Sequence, residues 1–370
     1  MAQALVRILT PVLSRVVALW RVAARAKVAA TLLGLTVILA ADAAPNGPLA
    51  NLRNWVFDAY ERDWPNSRPA PRTLIIDIDS DSIRHVGQWP WPRDQLARLV
   101  HIAAAARVIG IDLLLTEPDR VARSDHETDA ILAASLRQVP VVLAAAADPA
   151  GAFASHPIPA ATPVFEAGKD PRAALPHFRS VAWPLAALAS AASGTGLVTV
   201  PPEADGIMRR MPTIASVGSL LIPSFALEVL RVASRGKWIG LRAAPDGELV
   251  LEIGDSVIPT DTTGGVWPRF SVNAAGLSLP ADRVLSGAVD EGVFRDRVVL
   301  IGSSAPGLGD AFENPLRRLE SGVSIQAQLV DSLLAGDLLR RPAFAPALER
   351  LLALVLAIAA ESGLLRRPAS

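Results

Sequence analysis

TLIIDIDSDSIRHVGQWPWPRDQLARLV, residues 73–100, is the stretch from which the fold can be read. Leu74, Ile75 and Ile76 make an apolar run with the character of a core strand. Side chains two apart on a strand share a face, so Asp77 and Asp79 are expected to point the same way. A carboxylate buried without a partner is costly, so each must meet a cation, backbone N–H groups, a ligand or water. Gly87 then permits a sharp bend, Pro90 and Pro92 fix φ and remove two donors, and Trp89 and Trp91 offer large surfaces that lock the turn against the body. From Arg93 onward Leu96, Leu99, Val100, Ile102, Ala103 and Ala106 form a helical stripe that breaks at Arg107. Strand, rigid turn and helix thus come in order, and RVIGIDLLLTEPD (107–119) adds another apolar strand carrying Asp112 and closed by Glu117-Pro118-Asp119.

Further out, residues 139–145 and 298–301 supply apolar, β-branched strands, and the alternation of strands with helices marks a layered α/β domain. Residues 150–184 are dense in Ala and Pro with little periodicity, which predicts a long surface excursion or a lid. LVLEIGDSVIPTDTTGGVWPRFSVN (249–273) reads as short β segments with tight turns at Gly254-Asp255 and Gly264-Gly265, a β-rich insertion in the domain. No internal repeat is present.

The composition narrows the class. The 370 residues carry a formal net charge of zero, 51% are hydrophobic and 19% charged, so nothing points to a nucleic-acid partner. Zero cysteines remove disulfides, thiolate chemistry and Cys-based metal sites, and five histidines make a His-rich cluster an unpromising reading. The mean hydropathy of +0.34 is high for a soluble enzyme and comes partly from the ends. Residues 1–27 contain Arg7, Arg15, Arg21, Arg25 and Lys27 and no acid, and an uncharged run occupies 28–41. The positive-inside rule keeps the N-terminus cytoplasmic and exports the residues after Asp42. The run is short for a span, though it can borrow apolar surface before Lys27 if basic side chains snorkel. Ala41-Asp42-Ala43 is an A-x-A site, so a cleaved signal peptide is the rival to an uncleaved anchor. Near the other end, residues 343–365 are about long enough for a second crossing but would have to accommodate Glu349, Arg350 and Glu361; a packed amphipathic helix is the alternative.

The residues from DIDSDSIRHVGQWPWPRDQLARLV (77–100) to RVIGIDLLLTEPD resemble the opening of the type-two CHASE domain, the extracytoplasmic sensory module of bacterial cyclases and histidine kinases. The resemblance continues through SDHETDAILAASLRQVPVVLA (124–144), DGIMRRMPTIASVGSLLIPSFALEVLR (205–231), VVLIGSSAPGLGDAFENPL (298–316) and SGVSIQAQLVDSLLAGDLLRRP (321–342), in the family order, and covers roughly residues 52–342. Two departures are Gln326, where many relatives have His, and Leu115, where they often have Phe. Charge, apolar length and the resemblance together lead to the expectation of a cytoplasmic basic segment at 1–27, a transmembrane helix at 28–44, a sensory domain at 45–342, a second transmembrane helix at 343–365 and a cytoplasmic tail at 366–370. Relatives continue into an output domain, whereas this sequence stops at Ser370.

The expected function is therefore that of a membrane-anchored, extracytoplasmic signal-input module held at the inner membrane with its main domain in the periplasm. It would have no catalytic role or cofactor, would respond to a small-molecule or protein cue, and would act through a cytoplasmic or membrane signalling partner, with homodimerisation expected of receptors of this kind. An envelope binding protein and an exported metal-dependent hydrolase are the alternatives. For the hydrolase, Asp77, Asp79, Asp112 and Asp310 would gather at strand ends around a divalent cation. Against that, Asp77 or Asp79 pairing with Arg93 would simply cap the turn, and no nucleophile motif, metal-ligand His pair or phosphate loop accompanies the acids. Gly302-Ser303-Ser304 could offer N–H groups to an anion, or form only a turn. Asp205-Gly206 with Arg209-Arg210 could present guanidinium groups to an acidic ligand, or form a turn with solvated arginines. Trp89 and Trp91 could stack on a ring or sugar, or pack.

Overall fold

A computed structural model describes Gly34, Thr36 and residues 47–65, 72–120, 127–148, 150–151, 162–168, 170–201, 203–244, 247–271, 278–342 and 344–364. The basic segment at 1–27 and the expected anchor at 28–44 lie outside the described residues, except for Gly34 and Thr36. The chain divides into two compact units, one of Met1–Phe57 with Arg341–Ser370 and one of Asp58–Arg340.

The apolar runs form a central sheet in the larger unit. Its strands are β1 (Thr73–Asp77), β2 (Val108–Ile111), β3 (Val141–Asp148), β4 (Ser180–Ala182), β5 (Gly194–Leu197), β6 (Ser278–Pro280) and β7 (Val298–Gly302), in the spatial order β6-β1-β7-β2-β3-β4, with β5 also paired to β3. All pairs are parallel except β3 with β4. A parallel sheet needs cover on both faces, which is why β1, β2 and β7 read as continuous apolar runs. The helices are α1 (Pro48–Asp63), α2 (Ser80–Val86), α3 (Arg93–Ile102), α4 (Glu127–Leu136), α5 (Ala186–Ala189), α6 (Phe225–Ala233), α7 (Ala281–Leu285), α8 (Gly322–Ala335) and α9 (Ala345–Leu364).

Strand alternation sends Leu74, Ile76, Ile109, Ile111, Val299 and Ile301 to one face, where they pack with Leu96, Leu99 and Val100 of α3 and with Leu132 and Leu136 of α4. Ile75, Val108, Val142, Val298 and Leu300 face the other way, against Phe225 and Val229 of α6 and Val323, Ala327 and Val330 of α8. Of the stripe read from Leu96 to Ala106, Leu96, Leu99 and Val100 bury the inner face of the helix, which ends at Ile102, so Ala103 and Ala106 are buried in the turn beyond it; Leu96 and Leu99 each contribute about 1.5–3 kcal/mol by leaving water. Gly110 and Gly196 let α6 approach the sheet: an added Cβ would meet Phe225 Cζ at 2.8 Å from the first and Phe225 Cα at 2.5 Å from the second.

The β-rich insertion is present as an antiparallel ladder of Ser256–Pro259, Leu249–Ile253 and Ile239–Ala243, turned at Gly254, with Val164–Ala167 added in parallel to the last. The excursion expected at 150–184 is corrected within the described residues. Val164–Ala167 belongs to that sheet, His177–Phe178 pairs with Ile214–Val217, and β4 closes one edge of the central sheet. Residues 152–161 lie outside the described residues. Among the described residues no helix is long and apolar enough to cross a membrane.

Candidate functional site at the strand ends and helix entry

Asp77 ends β1 on the pleat face of Ile75, opposite Gly302 of β7. Its Oδ1 accepts the Ser304 N–H at 2.9 Å, and its Oδ2 accepts the hydroxyls of Ser304 at 2.6 Å and Ser278 at 3.2 Å. The Gly302-Ser303-Ser304 turn therefore spends the Ser304 N–H on a carboxylate of its own chain. Burial raises the Asp77 pKa, the serine hydrogen bonds oppose that rise, and nearby Asp79 adds to it.

Asp79 has a separate task. It is the N-cap of α2, with Oδ1 accepting the Ser82 N–H at 2.7 Å, and the helix ends at Gly87 with φ 132°. Neither acid pairs with Arg93, which corrects the expected turn cap. Arg93 opens α3 beside the exit of β2 and the start of α4, so its guanidinium lies 3.5 Å from Asp129 and donates to the Glu117 carbonyl at 3.2 Å. Its backbone N–H goes to Asp119 at 2.8 Å, and Asp119 also takes the Thr128 hydroxyl at 2.8 Å. Asp129 in turn takes the Asp119 N–H at 3.1 Å, and the network stitches α3 to α4. In the turn, Trp91 is buried and donates Nε1 to the Gly87 carbonyl at 2.7 Å, with Trp89 half-buried and tilted against it at 5.8 Å between ring centroids. The tryptophans act here as packing.

Arg209 is neither solvated nor presented to a ligand. It is 2% exposed, and its five N–H donors are matched by five hydrogen bonds. Nε and Nη2 grip Asp58 at 2.6 and 2.8 Å, Nη1 reaches Glu203 at 2.7 Å and Asp205 at 3.0 Å, and Nη2 also takes Asp205 at 2.7 Å. Asp58 lies in α1 and is 1% exposed, so the guanidinium fixes the end of that helix to the Asp205-Gly206 turn. Arg209 holds the Asp205 carboxyl below its usual range. Arg210 is the exposed member of the pair, bonded to Asp261 at 2.9 Å and lying 6.0 Å from the Trp267 ring.

One turn beyond Asp58, Glu61 is 0% exposed and neither carboxylate oxygen finds a hydrogen bond; Arg269 Nε stands 4.0 Å away. Burial pushes Glu61 up to about 7 against the pull of Arg269 and of the Phe270 backbone N–H. Asp112 comes directly after β2 and gives its N–H to Ile301 at 2.8 Å; although partly exposed, its carboxyl sits deep enough for desolvation to push it to about 7. Asp310 is exposed, and its carbonyl takes the Gly322 N–H at 3.0 Å. The hydrolase alternative needs these acids gathered around a cation, and among the described residues no group of three or more His, Cys, Asp or Glu is placed to hold a metal ion.

The last block is organised by Asn314 and Glu320. Asn314 Oδ1 accepts the N–H groups of Leu316 and Arg318, and Glu320 takes Asn314 Nδ2, Ser324 Oγ and Gln328 Nε2. The chain belongs to the CHASE2 domain family. The family model matches residues 30–364. CHASE2 is an extracytoplasmic sensory domain of signal-transduction proteins, which assigns this chain to the sensory class. No curated protein and no solved structure matches it. Within this CHASE2 domain the two sequence departures are buried. Leu115 is in the core, and Gln326 donates to the Val198 carbonyl at 3.4 Å while its Oε1 has no partner. Asp58, Glu61 and Glu203 were absent from the residues expected to matter. No local pattern separates them from solvated acids, because their partners Arg209 and Arg269 come from elsewhere in the chain.

Proposed function

We propose that the chain is a membrane-anchored signal-input module, with residues 28–44 as an uncleaved anchor, the CHASE2 domain exported, and its signal handed to a cytoplasmic or membrane partner. The observation that best supports this reading is the meeting of two helices at one residue. Glu349 of α9 accepts from Arg53 of α1 at 3.1 Å and from Arg341 at 2.6 Å, so the segment entering the domain and the segment leaving it are tied side by side. The grip of Arg209 on Asp58 fixes the end of α1. A cue that binds two arrangements of the domain unequally would bias that helix, and differential binding is the only way a ligand can shift such an equilibrium.

Tagging the N-terminus in the native gene, then measuring the mass of the tagged product and its retention in membranes, tests the anchor. A membrane-bound band at the mass of this chain is the expected result. A small released fragment would mean cleavage after Ala43 and would overturn the proposal. A C-terminal tag, probed by protease from outside the cell, tests the second crossing at 343–365: protection is expected.

A further inference from the structure

A cleft of about 680 Å³ opens between the Trp-Pro-Trp-Pro-Arg turn and α7, a size suited to a small ligand. Its polar wall carries opposite charges. Arg98 of α3 donates Nη2 to the Leu285 carbonyl at the end of α7, and Asp282 stands in the first turn of the same helix. One helical turn, about 5 Å along the axis, separates these two points. Arg98 also donates Nη1 to Gln95 Oε1 at 3.0 Å, and an arginine with five donors retains N–H groups beyond these two bonds. Asp282 is mostly buried, accepts the Ser82 hydroxyl at 3.3 Å, and shares its other oxygen with His85 at 2.7 Å. His85 is largely exposed, so moving it aside costs little burial. Leu285, Val86 and Gln88 complete the lining with apolar and amide surface.

A purely anionic ligand would meet Asp282 in this cleft, and a purely cationic one would meet Arg98. We infer that the cleft binds a zwitterionic α-amino acid with an uncharged side chain. Its carboxylate lies on Arg98, its ammonium replaces His85 on Asp282, and its side chain lies along Leu285 and Val86. The inference deepens the sensory reading by naming the chemistry of a cue, and it rests on that reading only for its biological role.

Isothermal titration of the full chain in detergent with L-leucine and L-glutamine tests it, with 3-methylbutan-1-amine and 4-methylpentanoic acid as leucine analogues lacking one charge each. The expected result is saturable binding of an amino acid, at least tenfold weaker binding of both analogues, and at least tenfold loss in R98Q and D282N. H85A should bind as well as the parent or better, because it frees Asp282, and R98K should retain part of the affinity while leaving the fold intact. No binding of either amino acid by the folded chain would overturn the inference, as would equal binding of an analogue, or binding untouched by R98Q and D282N. A chain that retains its N-terminal tag in the membrane yet fails to bind loses this inference and keeps the sensory reading.

Discussion

Replacing Glu61 with Gln should change how the stability of the domain depends on pH. The carboxyl is fully buried, both oxygens lack hydrogen bonds, and its nearest cation, Arg269, is 4.0 Å away and already donates to the Trp64 carbonyl at 3.1 Å. Asp337, 3.9 Å from Arg269, adds a second negative charge to the neighbourhood. Burial therefore dominates, and the group titrates at about 7 in the folded chain against 4.5 for an unperturbed glutamate. The folded state then holds the proton more tightly than the unfolded state, so stability is fully present below about 4.5 and is lost as pH rises to about 7. At ~1.4 kcal/mol per unit the loss is ~3 kcal/mol, which solvent screening reduces to ~2. Glutamine does not ionise, so E61Q should be stabler than the parent by ~2 kcal/mol at pH 8 and nearly equal to it at pH 5. Urea denaturation of the full chain at both pH values, monitored by tryptophan fluorescence, measures this. Asp112, raised by burial to about 7, loses stability over the same window in both proteins and cancels in the comparison. The same difference between E61Q and parent at pH 5 and pH 8 would refute the reasoning.

R209M leaves Asp58, a fully buried carboxylate, without its counter-charge and should cost about 3–5 kcal/mol in urea unfolding; R209M with D58N should recover part of that loss. G196A drives a Cβ to within 2.5 Å of the Phe225 backbone, so a loss of about 3 kcal/mol in the same assay is expected, with a loss below about 0.5 counting against the packing argument. D79A should lower stability by ~1 kcal/mol while D79N stays near the parent, because asparagine caps as well as aspartate. If D79N is as damaging as D79A, capping is not what Asp79 does.

The sheet was legible because burial on both faces leaves uninterrupted apolar runs, and Leu74 to Ile76, Val108 to Ile111 and Val298 to Ile301 each became a central strand. α3 was legible from the period of its stripe, but its end was not: Ala103 and Ala106 keep the pattern because they are buried in the turn after Ile102. The partner of Arg93 was not: Asp77, Asp79, Asp119 and Asp129 all lie within a few dozen residues, and only the placement of α4 beside α3 chooses among them. The strands in 150–184 escaped because elements of two to four residues carry no period and exist through their pairing with Ile214–Val217, β3 and Ile239–Ala243. Arg209 and Arg210 are adjacent and chemically identical, yet one is sealed by three carboxylates and the other is half open to solvent. That difference is set by Asp58, 151 residues away. Asp77 reads in the sequence as a carboxylate in need of partners, and its described partners are two serines.

The shared use of Glu349 by Arg53 and Arg341 has a consequence for how such a domain can be handled. Domains whose two ends lie close together can be lifted out of one chain and set into another without stretching either. A single carboxylate here brings the incoming and outgoing segments of the polypeptide to one place, the arrangement under which a whole domain can be moved between chains.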